Sequence, residues 1–226
     1  MLSFLRAPHP PRTNNADRDT VYYENGTSSV AYHRKDRPGG DYMMTHSFPP
    51  AHPQNGPSII QPPFHWHISQ TEKFFVSQGT AHMYYGLGSK PYATLSSHPT
   101  PGSKRSVTLP PFRYHRFANA SSTEELRMNI QLDPEDYENE QRFFRNFFGY
   151  LDDCKRSRTA PSIFQLFVFL HSADVPLAIP LPNVPGAEFV GLYLSWALLI
   201  VVAYIGRVVL GYRQTYPEYY NSSKSK

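Results

Sequence analysis

Cysteine is nearly absent. With Cys154 alone in the chain, no intrachain disulfide and no cysteine-based zinc motif can form, and a reducing compartment is the expected setting. Its neighbours in sequence are Asp152, Asp153, Lys155 and Arg156, with no histidine among them, so nothing marks it as an activated nucleophile. A dense block of one charge is also missing. The 22 basic and 18 acidic residues leave a net charge of +4 that is spread from Arg6 to Lys226. That is a poor footprint for a nucleic-acid binder, and no nucleic-acid partner is expected. The opening MLSFLRAPHPPRTNNADRD lacks the apolar core of a secretory signal, because Arg6 and a cluster of prolines interrupt it early; export is not expected.

What is present is apolar and aromatic. Hydrophobic residues make up 40% of the chain and aromatic ones 15%, enough for one core with an appendage, and enough rings to favour flat or greasy ligands. Residues 1–19 are polar and broken by proline, and are expected as a flexible arm. Residues 20–132 read as short strands, TVYYE, SSVAYHR, DYMMTHSF, EKFFVS, TAHMYYG, YATLSS, SVTL, HRFAN and LRMNIQL. Turn residues separate them at intervals of roughly ten, the mark of an antiparallel barrel or sandwich.

Residues 133–180 change character to a helical extension. The run from Pro134 to Asp153 has an acidic first turn and places Tyr137, Phe143, Phe144, Phe147, Phe148 and Leu151 near helical spacing, so an amphipathic helix is expected there. PSIFQLFVFLHS comes next, too short to span a bilayer. Residues 181–226 form a linker, a hydrophobic helix and a tail. Phe189–Gly206 runs without a charge for the length of a membrane-spanning helix, with Tyr193, Trp196, Tyr204, Arg207, Tyr212 and Arg213 placed as interfacial anchors. The competing reading is a buried or dimer-forming helix. The basic residues beyond it argue for a cytosolic tail, but a front end without a signal argues for a cytosolic body. The expectation is a tail-anchored protein, membrane-associated on the cytosolic face.

The chemistry concentrates in FHWHISQTEKFFVSQG, Phe64–Gly79. Residues i and i+2 of a strand share a face, so His65 and His67 project side by side and can reach one cation. Glu72 has the other parity, and a turn or bulge within Ser69–Thr71 is needed to bring it back to that face. A further imidazole is available at His115. Three neutral histidines and one carboxylate suit a divalent first-row metal: iron, manganese, nickel, copper or zinc.

These residues resemble the cupin family. His65, His67, Glu72 and Gly79 fit its first motif at every spacing, and Pro110, His115 and Asn119 fit the second, except that Phe112 stands where the motif has glycine. Lys104 replaces another expected glycine before Pro110. The resemblance covers about half the chain and implies a double-stranded β-helix barrel, commonly a homodimer, with substrate bound above the metal in the barrel mouth. It extends in style to small cupins that tailor fungal natural products.

If Glu72 points inward, alternation takes Phe74 and Val76 inward as well, while Phe117 and Asn119 share a face with His115; these four are the expected substrate pocket. His82 and Tyr84 are the expected catalytic wall residues, with His46 a further acid–base candidate. The substrate expected is a small hydrophobic molecule, aromatic or polyketide-like, acted on by a dioxygenase or oxidase. The alternatives are a redox-neutral isomerase, cyclase or lyase, and a non-catalytic, membrane-tethered ligand binder.

Overall fold

A computed structural model describes residues 2–33, 42–52, 56–181 and 186–222. The chain falls into two compact units, one of Asp19–Asp136 and one that joins Met1–Arg18 to Tyr137–Lys226.

Asp19–Asp136 is built of antiparallel β-structure. Its strands are β1 Thr20–Tyr23, β2 Ser28–Tyr32, β3 Met44–Phe48, β4 Thr71–Gln78, β5 Thr80–Tyr85, β6 Ala93–Ser96, β7 Ser106–Leu109, β8 His115–Asn119 and β9 Leu126–Asp133. A six-stranded sheet runs β1-β2-β3-β9-β4-β7 and a three-stranded sheet runs β6-β5-β8. Each strand carries out the alternation its sequence encodes. β3 buries Met44, His46 and Phe48, β8 buries His115, Phe117 and Asn119, and β9 buries Leu126, Met128, Ile130 and Leu132. With Val30, Phe74, Val76, Ala81, Met83 and Leu95 these side chains form an interior almost free of solvent. Each fully buried Leu, Met or Phe stabilises the barrel by about 1.5–3 kcal/mol.

Gly79 joins β4 to β5 with φ at +75°, and a Cβ there would run into the Glu125 carbonyl oxygen. Only glycine meets both demands, which gives the closing residue of the Phe64–Gly79 segment a physical reason. Just before it, the β4–β9 register shifts between Val76 and Gln78. Such a shift exchanges inward and outward parity for the residues beyond it.

The second unit contains α1 Tyr137–Arg156, α2 Ile163–Ser172 and α3 Ala187–Tyr204, which continues as a wider turn through Ile205–Val209. α1 begins three residues after the expected start, with Glu138 and Glu140 in its first turn and Lys155 and Arg156 in its last, as the helix dipole favours. Phe143, Tyr150 and Cys154 of α1 pack with Phe167, Phe169 and Leu170 of α2 and with Leu199 and Ala203 of α3. Burial raises the Cys154 thiol above its ordinary pKa, which leaves it protonated and inert.

The segment expected as a flexible arm is held to this unit. The Thr13 backbone N–H and hydroxyl both donate to the Asp153 carboxylate, at 2.8 and 2.6 Å, and the Asn15 N–H donates to the Glu218 carbonyl. The chain after α3 returns to the same helices. Gln165 donates to the Arg213 carbonyl, the Tyr216 N–H donates to Asn146, and the Tyr219 hydroxyl donates to Asp153 at 2.6 Å.

Candidate metal centre

Four side chains meet inside the barrel. His65 and His67 come from the irregular segment before β4, where bends at Ile68 and Ser69 reset the phase, so that Glu72 in β4 turns to the same point. His115, the first residue of β8, exchanges backbone hydrogen bonds with His65 at 3.1 and 2.9 Å, which draws the two motifs together. One potential ligand atom from each of His65, His67, Glu72 and His115 lies within 4.8 Å of the other three, and all four residues are buried. Donor atoms around one first-row ion, at about 2.1 Å from it, stand roughly 3–4 Å apart, so the cluster has the size of a single site.

The protonation pattern tests whether a cation fits. A carbonyl oxygen can only accept, so His65 Nδ1 donates to the Pro63 carbonyl at 3.0 Å and His115 Nδ1 donates to the Arg113 carbonyl at 2.8 Å. In the neutral rings this leaves lone pairs on both Nε2 atoms, turned toward Glu72 Oε2 at 3.9 and 2.8 Å. Lone pair facing lone pair in a dry interior is repulsive unless a positive charge lies between them. His67 adds Nε2 at 3.1 Å from the same oxygen, and its Nδ1 is buried with no hydrogen-bond partner. Burial would raise the Glu72 pKa, but positive charge at His67 and hydrogen bonds donated by His115 and His67, when those rings carry a proton on Nε2, outweigh it and hold the carboxyl well below its usual range; Glu72 is thus an anion that draws positive charge, proton or metal ion, to this point. Burial first, then His115 and His67, push the His65 imidazole down to about 3, so that it stays neutral near pH 7. An anionic carboxylate beside a neutral imidazole, with two backbone carbonyls fixing ring orientation, is a donor set prepared for a divalent cation.

The segment that carries the second motif keeps its shape without the motif glycine. Phe112 adopts φ +58°, the left-handed conformation that glycine reaches freely, and its N–H donates to the His67 carbonyl at 3.0 Å. Its ring lies 5.4 Å from that of Trp66, the residue between the two histidines, which is itself buried. Sequence reasoning did not single out Trp66. The signal was its parity: a large ring between two same-face ligands must pack on the opposite side.

Several expected site residues lie elsewhere. Phe74, Val76 and Phe117 are 1%, 0% and 2% exposed and form close-packed core; the Phe74 and Phe117 rings are 5.5 Å apart. Of these three, Phe74 borders the cluster, with its ring centre 6.4 Å from that of His115 in an edge-on arrangement. Asn119 staples loops: its amide donates to the Pro49 and Glu124 carbonyls, and its oxygen accepts from the Ser121 N–H. β5 turns Ala81 and Met83 inward and leaves His82 and Tyr84 on the opposite face, paired with Ala118 and Arg116 of β8. A register shift in β4 and the Gly79 turn both lie between this strand and the inward-facing residues of β4. On that opposite face Tyr84 lies 3.8 Å beneath the Arg116 guanidinium, which also covers Phe64 at 4.9 Å. A cavity of about 440 Å³ is lined by Arg116, Ala118, Asn119 and the stretches Phe48–His52 and Gly56–Ser58; none of the four cluster residues lines it. His46 is buried in the barrel, and burial pushes its imidazole down to about 3, against a weaker upward pull from Glu72.

No protein-family model matches the chain. Probable oxidoreductase virH of Hypocrea virens is 29% identical over 224 residues, covering 97% of this chain and 94% of its own length. Oxidoreductase iacF of Pestalotiopsis fici is 28% identical over 185 residues, covering 78% and 84%. Among solved structures, the Drosophila melanogaster CENP-C cupin domain overlaps 56% of this chain and 86% of its own, at 10% identity and a TM-score of 0.34. With the four side chains of the two motif segments meeting between two antiparallel sheets, the unit Asp19–Asp136 is a small cupin-like domain whose buried cluster suits a divalent metal.

Proposed function

We propose that the protein is a metal-dependent oxidoreductase of the cupin kind that acts on a small hydrophobic metabolite. The observation that carries this reading is the convergence of three imidazoles and one buried carboxylate on a single point. His65, His67, Glu72 and His115 would hold a divalent first-row ion. When bound, such an ion supplies a Lewis-acid and redox centre that a bare barrel lacks.

The chain's own part is to prepare that place. The Pro63 and Arg113 carbonyls accept from Nδ1 of His65 and His115, which orients both rings so that their Nε2 atoms face Glu72. Glu72 would lower the charge of the loaded site by one unit, and Phe74 borders the cluster with an apolar ring. The fungal relatives named oxidoreductases support electron transfer over redox-neutral chemistry, and the aromatic share of the chain supports a flat, aromatic or polyketide-like substrate of natural-product metabolism.

Metal analysis of the full chain beside a His65→Ala, His67→Ala double variant tests the site: near-stoichiometric metal is expected in the first and little in the second. Phenolic and polyketide-type compounds incubated with loaded protein under air and under argon test the reaction. Turnover with oxygen uptake, abolished under argon, is the expected result. Undiminished turnover under argon would establish an isomerase, cyclase or lyase, and tight binding without turnover would establish a ligand-binding protein.

A further inference from the structure

We infer that α3 docks the helical unit on the surface of an anionic bilayer and does not pass through it. The proposal stands apart from the metal chemistry. It replaces the spanning arrangement expected from hydropathy, and its test does not depend on activity.

The geometry of the chain on either side of α3 speaks against passage. α3 has eighteen residues and is about 27 Å long, enough to cross a hydrocarbon core. Both flanks, however, belong to one folded body. After the turn at Ile205–Val209 the chain buries Tyr212, Tyr216 and Tyr219 among α1 and α2, and Asp153 of α1 takes hydrogen bonds from Tyr219 and from Thr13 near the N-terminus. The Leu2 N–H donates to the Val209 carbonyl, and Arg12 pairs with Glu218 at 3.1 Å. A crossing helix would carry Tyr212–Tyr220 to the far side of the membrane, away from every one of these partners. Immersing the whole unit instead would place the buried charges of Arg145, Asp152 and Asp153 at hydrocarbon depth, at several kcal/mol each.

What α3 offers is one seated seam and a broad open face. Gly191, Leu192, Ser195, Leu199, Ala203 and Gly206 recur at helical spacing and are buried, and a Cβ on Gly206 would press on Phe164 and Val168 of α2. The remaining arc is apolar and open to solvent: Phe189 is 62% exposed, Val190 52%, Tyr193 55%, Val201 54% and Tyr204 61%. Only Glu188 and Arg207, at the two ends, carry charge, and Trp196 and the tyrosines suit the headgroup boundary.

Charge selects the occupant. Residues 19–136 hold ten basic and ten acidic side chains, whereas the helical unit holds twelve and eight and therefore carries the entire net charge of +4. A second copy would bring the same positive unit against this face; an anionic lipid surface complements it.

The test uses the full chain added to vesicles of phosphatidylcholine alone or with phosphatidylglycerol. Binding is expected with the anionic vesicles, weakening as salt rises, and falling about tenfold for each of Val190→Glu and Val201→Glu. Trp196 emission, taken as the difference from a Trp196→Phe variant, is expected to shift to the blue and to be quenched by lipids labelled near the headgroup more than by lipids labelled at the bilayer centre. Cysteines at Arg18→Cys and Ser222→Cys are expected to react alike with an impermeant maleimide. Strongest quenching at the bilayer centre, or protection of one of the two cysteines, would show a span and overturn the proposal. So would failure to bind either vesicle, and in that case concentration-dependent dimers abolished by Val201→Glu would identify a second copy as the occupant. Unchanged far-ultraviolet circular dichroism and unfolding midpoints of the glutamate variants are the control that they fold.

Discussion

Glu72 Oε2 lies 2.8 Å from His115 Nε2, on a ring whose other nitrogen already donates to the Arg113 carbonyl. In the neutral ring both atoms are acceptors and call for a positive charge between them; a proton on Nε2 would supply it, and a divalent cation would supply it without protonating the imidazole. Glu72→Gln keeps the volume and removes the negative charge. Metal occupancy by mass spectrometry is expected to fall at least tenfold, about 1.4 kcal/mol or more of binding energy. In metal-free buffer the same variant is expected to gain stability or change little, because the lone-pair conflict is relieved. Wild-type occupancy in Glu72→Gln would remove this carboxylate from the ligand set.

Phe112 combines a strained backbone with a ring contact to Trp66, and two substitutions separate the effects. Phe112→Ala keeps the positive φ and loses the ring; Phe112→Gly loses the ring and relaxes the backbone. In urea unfolding the glycine variant is expected to be the more stable of the two by about 1 kcal/mol. Equal midpoints would mean that this turn reorganises when the ring is removed.

His46 gives the barrel an acid dependence of known sign. Its folded pKa of about 3 lies below the ordinary value of 6.5, so the unfolded chain binds the extra proton between those two pH values. Stability therefore falls as pH drops from about 6.5 toward about 3, at up to about 1.4 kcal/mol per pH unit from this residue, and the slope vanishes outside that window. His46→Leu is expected to flatten the dependence of the unfolding midpoint on pH by about one proton. An unchanged slope would place the acid sensitivity in other groups.

Asp153 gathers the N-terminal segment and the C-terminal tail onto α1 through Thr13 and Tyr219. Asp153→Asn keeps the shape but cannot accept all three donated hydrogen bonds as a charged group. A loss of about 2 kcal/mol is expected, with earlier proteolytic cleavage before Arg18. Resistance to protease equal to that of the wild type would show that packing of Tyr216 and Tyr219 holds these segments.

The strands β1 to β9 are legible in the sequence because alternation of period two runs through them, from SSVAY to LRMNIQL, and the ligand residues are legible because His65, His67, Glu72 and His115 keep the spacing of two motifs, although His65 and His67 lie in an irregular segment before β4. Alternation turns Phe74, Val76 and Phe117 inward, as found, yet inward means core and not pocket. His82 and Tyr84 lie on the face opposite Ala81 and Met83, beyond a register shift and a turn that leave no mark in composition.

By itself the sequence determined which residues can ligate a metal, which segments alternate as strands and which helix has no charge, since those properties come from local side-chain chemistry and from the two backbone periods. The tertiary structure alone decided that His65, His67, Glu72 and His115 share one point, that Phe112 can stand in for a glycine, and that the tail after α3 comes back to its own unit. Convergence, face and return path depend on contacts between residues far apart in the chain, and no local pattern encodes them.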